Sequence, residues 1–121
     1  MLNMVVVIGR LVKPLQVRHL PSGLGLASFD LQVPRSDEST DTVPVALFNS
    51  GGSTPDWASG QELLAVGRVR RRFYRVGGTT QSRTEVVADH VYPLAQREDV
   101  GQVLTDARDA LEVFAQDLGP A

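Results

Sequence analysis

The stretch GRVRRRFYRVGG, residues 67–78, gathers five arginines, two adjacent aromatics and a glycine pair. It reads as the second half of a long strand over 61–75 that ends in a hairpin turn at VGGTT. Strand alternation sorts its side chains. Arg68, Arg70, Arg72 and Tyr74 share one face; Gly67, Val69, Arg71, Phe73 and Arg75 share the other. The first face is a ladder of guanidiniums ending in a phenol ring. Such a ladder can neutralise successive phosphates while the ring stacks a base. The second face keeps Val69 and Phe73 for a core. The arginines also have a plainer reading, as charges that keep an exposed strand from aggregating.

The flanking segments supply partners for this strand. After the turn, QSRTEVVADHV, residues 81–91, forms the last strand, and YPL closes the β part. Upstream, NMVVVIGRLV, residues 3–12, is apolar on both strand faces. Met4, Val6 and Ile8 point one way and Val5 and Val7 the other, which suits burial in a core and against a second copy. QVRHL is a short strand and PSG, residues 21–23, a turn. In LGLASFDLQV, residues 24–33, Ala27, Phe29, Leu31 and Val33 alternate with polar residues, the pattern of a half-buried strand. PRSDESTD is a polar loop or hairpin tip. VPVALF, residues 43–48, is the third main strand, its Pro44 suited to an edge or a strand start. NSGGSTPDWASG, residues 49–60, is a loop with at most one helical turn near 55–58.

The tail changes period. Val100, Leu104, Ala107, Leu111, Phe114 and Leu118 follow a heptad spacing, which predicts one amphipathic helix over 98–117. That helix can cover the sheet or pair with helices of other subunits. Five main strands, hairpins and a terminal helix predict an all-β fold, a five-stranded OB-type barrel with a C-terminal amphipathic helix.

Charge is divided along the chain. The 121 residues carry 12 Lys or Arg and 14 Asp or Glu, a formal net charge of −2. Residues 1–92 are net +2 and residues 93–121 net −4. Arginine supplies every cation except Lys13, and its planar fork suits phosphate and ring faces. There is no cysteine, which excludes a disulfide framework, thiolate metal sites and a cysteine nucleophile. No G-x-S-x-G signature is present, and GLGLAS at 23–28 lacks the third glycine of a dinucleotide loop. His19 and His90 have no third ligand at metal spacing. No enzyme, metal or cofactor is expected. The N-terminus carries neither a basic leader nor an apolar run long enough for a membrane, so the expectation is a cytoplasmic protein without a membrane partner.

With the strands in order, the sequence resembles the bacterial single-stranded DNA-binding protein family. The resemblance covers about residues 3–94. It is carried by NMVVVIGRL with Gly9 and Leu11, by VRHLPSG with Val17, Arg18, Pro21 and Gly23, and by LASFDLQVPR with Ala27, Phe29 and Arg35. VPVALF, GQELLAVGRVRRRFY and TEVVADHVYPL complete it. The resemblance implies an OB-fold DNA-binding domain over 1–94 and an acidic C-terminal segment over 95–121. It implies a homo-oligomer, tetramer favoured over dimer, that binds single-stranded DNA without sequence preference in replication, recombination or repair. Carried over, Arg18, Arg35, Phe48, Arg70, Arg72 and Tyr74 fall on the family's basic and stacking positions; Arg68 from the strand face, Trp57 and Arg10 complete the candidate DNA-binding residues. Trp57, the only Trp, has two readings: a ring anchoring its loop on the core, or a stacking platform.

The sequence also departs from the family. Thr42 stands where an aromatic is common, and SDES fills another such place. Each lost stack is worth about 1–3 kcal/mol, which predicts weaker DNA binding than is typical. The helix common between the third and fourth strands is replaced by the 49–60 loop. The chain ends DLGPA after its helix, not in the flexible acidic tip through which the family recruits replication proteins, so that recruitment is not carried over. These departures motivate an alternative: an OB-fold protein-interaction or assembly module with weak or no DNA binding.

Overall fold

The computed structural model describes residues 1–49 and 54–120. Its strands are β1 (Val5–Leu11), β2 (Gln16–His19), β3 (Gly25–Pro34), β4 (Thr40–Asn49), β5 (Glu62–Val76) and β6 (Thr79–Pro93), followed by helix α1 (Arg97–Leu118). The strand order is β1-β5-β6-β4-β3-β2, and β1 pairs again with β3 through Arg10↔Gln32 and Leu11↔Leu31. That last pairing closes five strands into a ring of OB type, with β2 laid along the edge of β3. All the pairings are antiparallel except β4 with β6, which meet in parallel at Val45↔Val86 and Ala46↔Val87. Residues 50–53 of the 49–60 loop lie outside the described residues; Thr54–Ala58 form no helix.

The ring closes over the inward members of each alternating strand. Val7, Leu11, Phe29, Leu31, Val45, Leu63, Ala65, Val86 and Ala88 form its interior. Trp57 caps that core, its ring edge-on to Phe29 with centroids 5.6 Å apart. Of the two readings of Trp57, this geometry is that of the anchor. Asn3 lengthens the β1–β5 contact by pairing its side-chain amide with the backbone of Val69, at 2.7 Å and 3.0 Å.

The long β5–β6 hairpin turns at Gly77 and Gly78, whose φ angles of 56° and 82° are left-handed. Two consecutive left-handed residues make the tight turn that matches strand twist, and glycine adopts them without a Cβ clash. Beyond the ring the hairpin continues as a two-stranded ribbon. Here the structure corrects the sequence: Val69 is 42% exposed and Phe73 64% exposed. Neither enters the core, because the ring interior ends near Gly67 and the outer half of β5 has only β6 beside it.

A second apolar cluster lies outside the ring. Leu64 and Val66, on the outward face of β5, pack with Tyr92 and Leu94 against Val100 and Val103 of α1. The helix buries Val100, Val103 and Ala107. The heptad seam is therefore only half used. Leu104, Leu111 and Leu118 are 37%, 45% and 72% exposed, while Val103, outside the seam, is buried. The sheet offers apolar floor for the first turns only, so docking follows an i, i+3, i+7 stripe and the later turns project past it. Glu98 and Asp99 suit the positive end of the helix dipole, and Gly119, at φ 66°, ends the helix by donating to Ala115 and Gln116. Among the described residues no helix is long and apolar enough to cross a membrane.

Candidate nucleic-acid interface

The outward faces of four neighbouring strands, with β2 at the rim, form one groove of about 560 Å³. Register explains who meets whom. Arg18 on β2 pairs with Leu26 on β3, and Leu26 pairs with Phe48 on β4; two residues along each strand, Gln16, Ser28 and Ala46 form the next row on the same face. Across the long hairpin Arg70 faces Glu85, Arg72 faces Arg83 and Tyr74 faces Gln81. All of these except Gln81 line the groove, together with Leu20.

Of the nine residues expected from sequence, Arg18, Phe48, Arg70, Arg72 and Tyr74 come together here. The others lie elsewhere. Arg68 is exposed, opposite Val87, on the same face of β5 but outside the groove lining. Arg10 is exposed on β1, between Glu62 and Gln32. Arg35 stands at the β3–β4 turn, bound to Asp37 at 2.9 Å and Asp41 at 3.5 Å. Hydrogen bonds from the Ser39 hydroxyl and backbone N–H, with a smaller contribution from Arg35, hold the Asp37 carboxyl below its ordinary value. Trp57 faces the core, as described above.

Two residues that sequence reading passed over sit at the centre. Glu85 is 6% exposed, the only buried charged residue among those described. Arg70 donates to its Oε2 from Nε at 3.0 Å and from Nη2 at 2.8 Å. Arg72 approaches the same oxygen at 3.7 Å, and Arg83 reaches Oε1 at 3.6 Å. Like charges set directly opposite on two strands repel, and a shared carboxylate offsets that for Arg72 and Arg83. A signal for both residues was present. A two-glycine turn fixes the register, so counting outward from Gly77 and Gly78 puts Arg83 opposite Arg72 and Glu85 opposite Arg70.

Rings accompany the cations. The guanidinium carbon of Arg70 lies 5.5 Å from the centre of the Phe48 ring, and that of Arg72 lies 5.3 Å from the Tyr74 ring. Four guanidiniums and one carboxylate line the groove, beside two aromatic rings. That chemistry suits a flexible polyanion carrying flat apolar groups: cations for its phosphates, rings for its bases. Among the described residues no group of three or more His, Asp or Glu side chains could hold a metal ion.

Comparison with known proteins agrees with this construction. The Single-strand binding protein family matches residues 2–94. Single-stranded DNA-binding protein 1 of Streptococcus pyogenes serotype M18 is 34% identical over 108 residues, covering 82% of this chain and 83% of the relative. Single-stranded DNA-binding protein 3 of Clostridium acetobutylicum is 34% identical over 99 residues, covering 74% of this chain and 69% of the relative. Among solved structures, the dimeric N-terminal domain of PriB from Thermoanaerobacter tencongensis shares the fold, with a TM-score of 0.60 at 23% identity, over 75% of this chain and 94% of that one.

Proposed function

The chain belongs to the single-strand binding protein family, and from that premise we propose that it binds single-stranded DNA without sequence preference, in replication, recombination or repair. The observation that carries the proposal is the convergence of Arg18, Phe48, Arg70, Arg72 and Tyr74 in one groove. The arginines displace counterions from the phosphates, and the rings stack the bases. The protein acts by holding its ligand and performs no reaction on it, in the cytoplasm with the DNA. The test is fluorescence anisotropy of labelled oligo-dT over a salt series, with a duplex of equal length as the control. Salt-sensitive binding to the single strand and much weaker binding to the duplex are expected. Absence of single-strand binding at low salt would sink the proposal.

The working form is a homo-oligomer, tetramer over dimer. Two separate apolar surfaces support this reading. On β1, Val6 is 44% and Ile8 42% exposed, and among the described residues β1 pairs with β3 only at Arg10 and Leu11. On the projecting part of α1, Leu111 and Leu118 are exposed. A dimer needs one self-complementary patch, whereas a tetramer with two kinds of contact needs two.

The second reading, an assembly module with weak DNA binding, draws on the same exposed helix seam and on the acidic flanks of α1. Leu111→Asp with Leu118→Asp separates the two, because neither side chain supports the ring. Loss of assembly with DNA binding intact makes the helix an assembly device. Weaker DNA binding than wild type with assembly intact makes the acidic helix a competitor for the groove, since each new carboxylate strengthens its pull on the arginines.

A further inference from the structure

The arginines of the groove are not equivalent, and the difference rests on Glu85. Its carboxylate is buried, and Arg70 spends two donors, Nε and Nη2, on one of its oxygens. Those are the donors turned toward the buried carboxylate, and the guanidinium carbon lies 5.5 Å from the centre of the Phe48 ring. Arg72 and Arg83 are differently placed. Both are 45% exposed, and both stand beyond hydrogen-bond distance of Glu85. Arg83 also lies 4.0 Å from Asp30, at the limit of an ion pair, and Arg18 has no ion-pair partner among the described residues.

Resting on the single-strand-binding reading, we infer that Glu85 divides the groove's arginines by role. It neutralises Arg70 and turns its guanidinium into one half of a Phe48–Arg70 stacking platform for a base. Phosphate neutralisation is left to Arg18, Arg72 and Arg83. Glu85 is a positioning residue: it touches no nucleic acid and acts through Arg70. The physical ground is competition. A phosphate that recruits Arg70 must displace a carboxylate hydrogen-bonded to it, whereas at Arg72 or Arg83 it competes only with looser ion pairs, at 3.6 Å or more. A planar cation fixed in one orientation is also pre-organised for stacking, which a free-swinging one is not.

The test compares four full-length variants with wild type, reading both affinity and salt slope on labelled oligo-dT. A parallel set uses an oligomer of phosphodiester-linked abasic sites, which keeps the charge and lacks the bases. Arg70→Ala and Arg70→Lys should each weaken oligo-dT binding by about tenfold at every salt concentration, the scale of one lost stack. Neither should change the slope, and neither should affect the abasic strand. Arg72→Ala should flatten the slope by about 0.7, the single-strand value for one phosphate contact, and weaken binding to both ligands. Glu85→Gln keeps an acceptor for Arg70 and removes the competing charge, so it should steepen the slope by up to about 0.7.

The inference is overturned if Arg70→Lys binds like wild type, if Arg70→Ala flattens the slope as Arg72→Ala does, or if Glu85→Gln leaves the slope unchanged. If Glu85→Gln does not fold, as read by circular dichroism, the Arg70 pair and the abasic strand decide the matter. Wild type that binds neither strand refutes the single-strand-binding reading itself, and the role of Glu85 falls with it. Wild type that binds while the Arg70 and Arg72 variants behave alike refutes only the division of roles.

Discussion

Gly67 is fixed by contact, not by its dihedral angles. A Cβ added there would collide with the carbonyl oxygen of Val87 and lie 2.8 Å from the Cα of Ala88. The cause is a bulge: Val66 pairs with His90 but Gly67 with Ala88, so Asp89 is an extra residue on β6. Such an extra residue bends the bulged strand, and here Val87 and Ala88 of β6 lie close against Gly67. Gly67→Ala should therefore destabilise the fold by about 2–3 kcal/mol, the cost of forcing backbone apart in a packed sheet. Chemical denaturation checks this, and a midpoint within error of wild type would mean that the strands separate there freely. At this scale much of the groove's lining was legible. The alternation in 67–75 correctly put Arg70, Arg72 and Tyr74 on one face. Glu85 was missed because its significance depends on a partner across the hairpin, and charge counted along one strand does not reveal charge facing it. Arg35 was named from the sequence, but its ion pairs with Asp37 and Asp41 form across the β3–β4 turn and do not show in strand alternation.

Among elements, the strands were legible because apolar alternation and turn glycines act locally. The ribbon end of β5 was not. Val69 and Phe73 have the spacing of core residues, but a strand can outrun the ring that buries it, and nothing within the strand marks where that happens. The helix offers the same lesson. Its periodicity was plain, yet which stripe docks depends on the floor provided by Leu64, Val66, Tyr92 and Leu94. Val103 is 7% exposed at the centre of that contact. Val103→Asp, which buries a charge without a partner, should release the helix and lower stability by about 3 kcal/mol or more. The control is Val113→Asp on the projecting turns, where the side chain is 60% exposed. It should change the denaturation midpoint little. Equal effects from the two variants would show that the docking stripe is not where the stability resides.

Across the whole molecule, assembly and charge separate the ends of the chain. Val6 and Ile8 face outward on β1, and lysines there would put like charges across any contact between two copies of that face. Val6→Lys with Ile8→Lys should halve the assembly mass measured by light scattering while leaving the groove's lining untouched. A mass unchanged from wild type would move the interface elsewhere. The sequence anticipated a greasy strand used twice, and the exposed face is there, but partner number was not legible because it depends on surfaces of more than one chain. The docked helix carries a further consequence, for how the protein comes apart. Leu64 and Val66 belong to a strand of the ring yet are covered by the tail, so ring and tail share a boundary that neither can lose quietly. Melting should be a single event. Trp57 reports on the ring from within, and a dye on the solvent side of α1 reports on the tail; both signals should fall at one denaturant concentration. A tail that melted first would be an appendage, whereas coincident loss makes it part of the same cooperative unit.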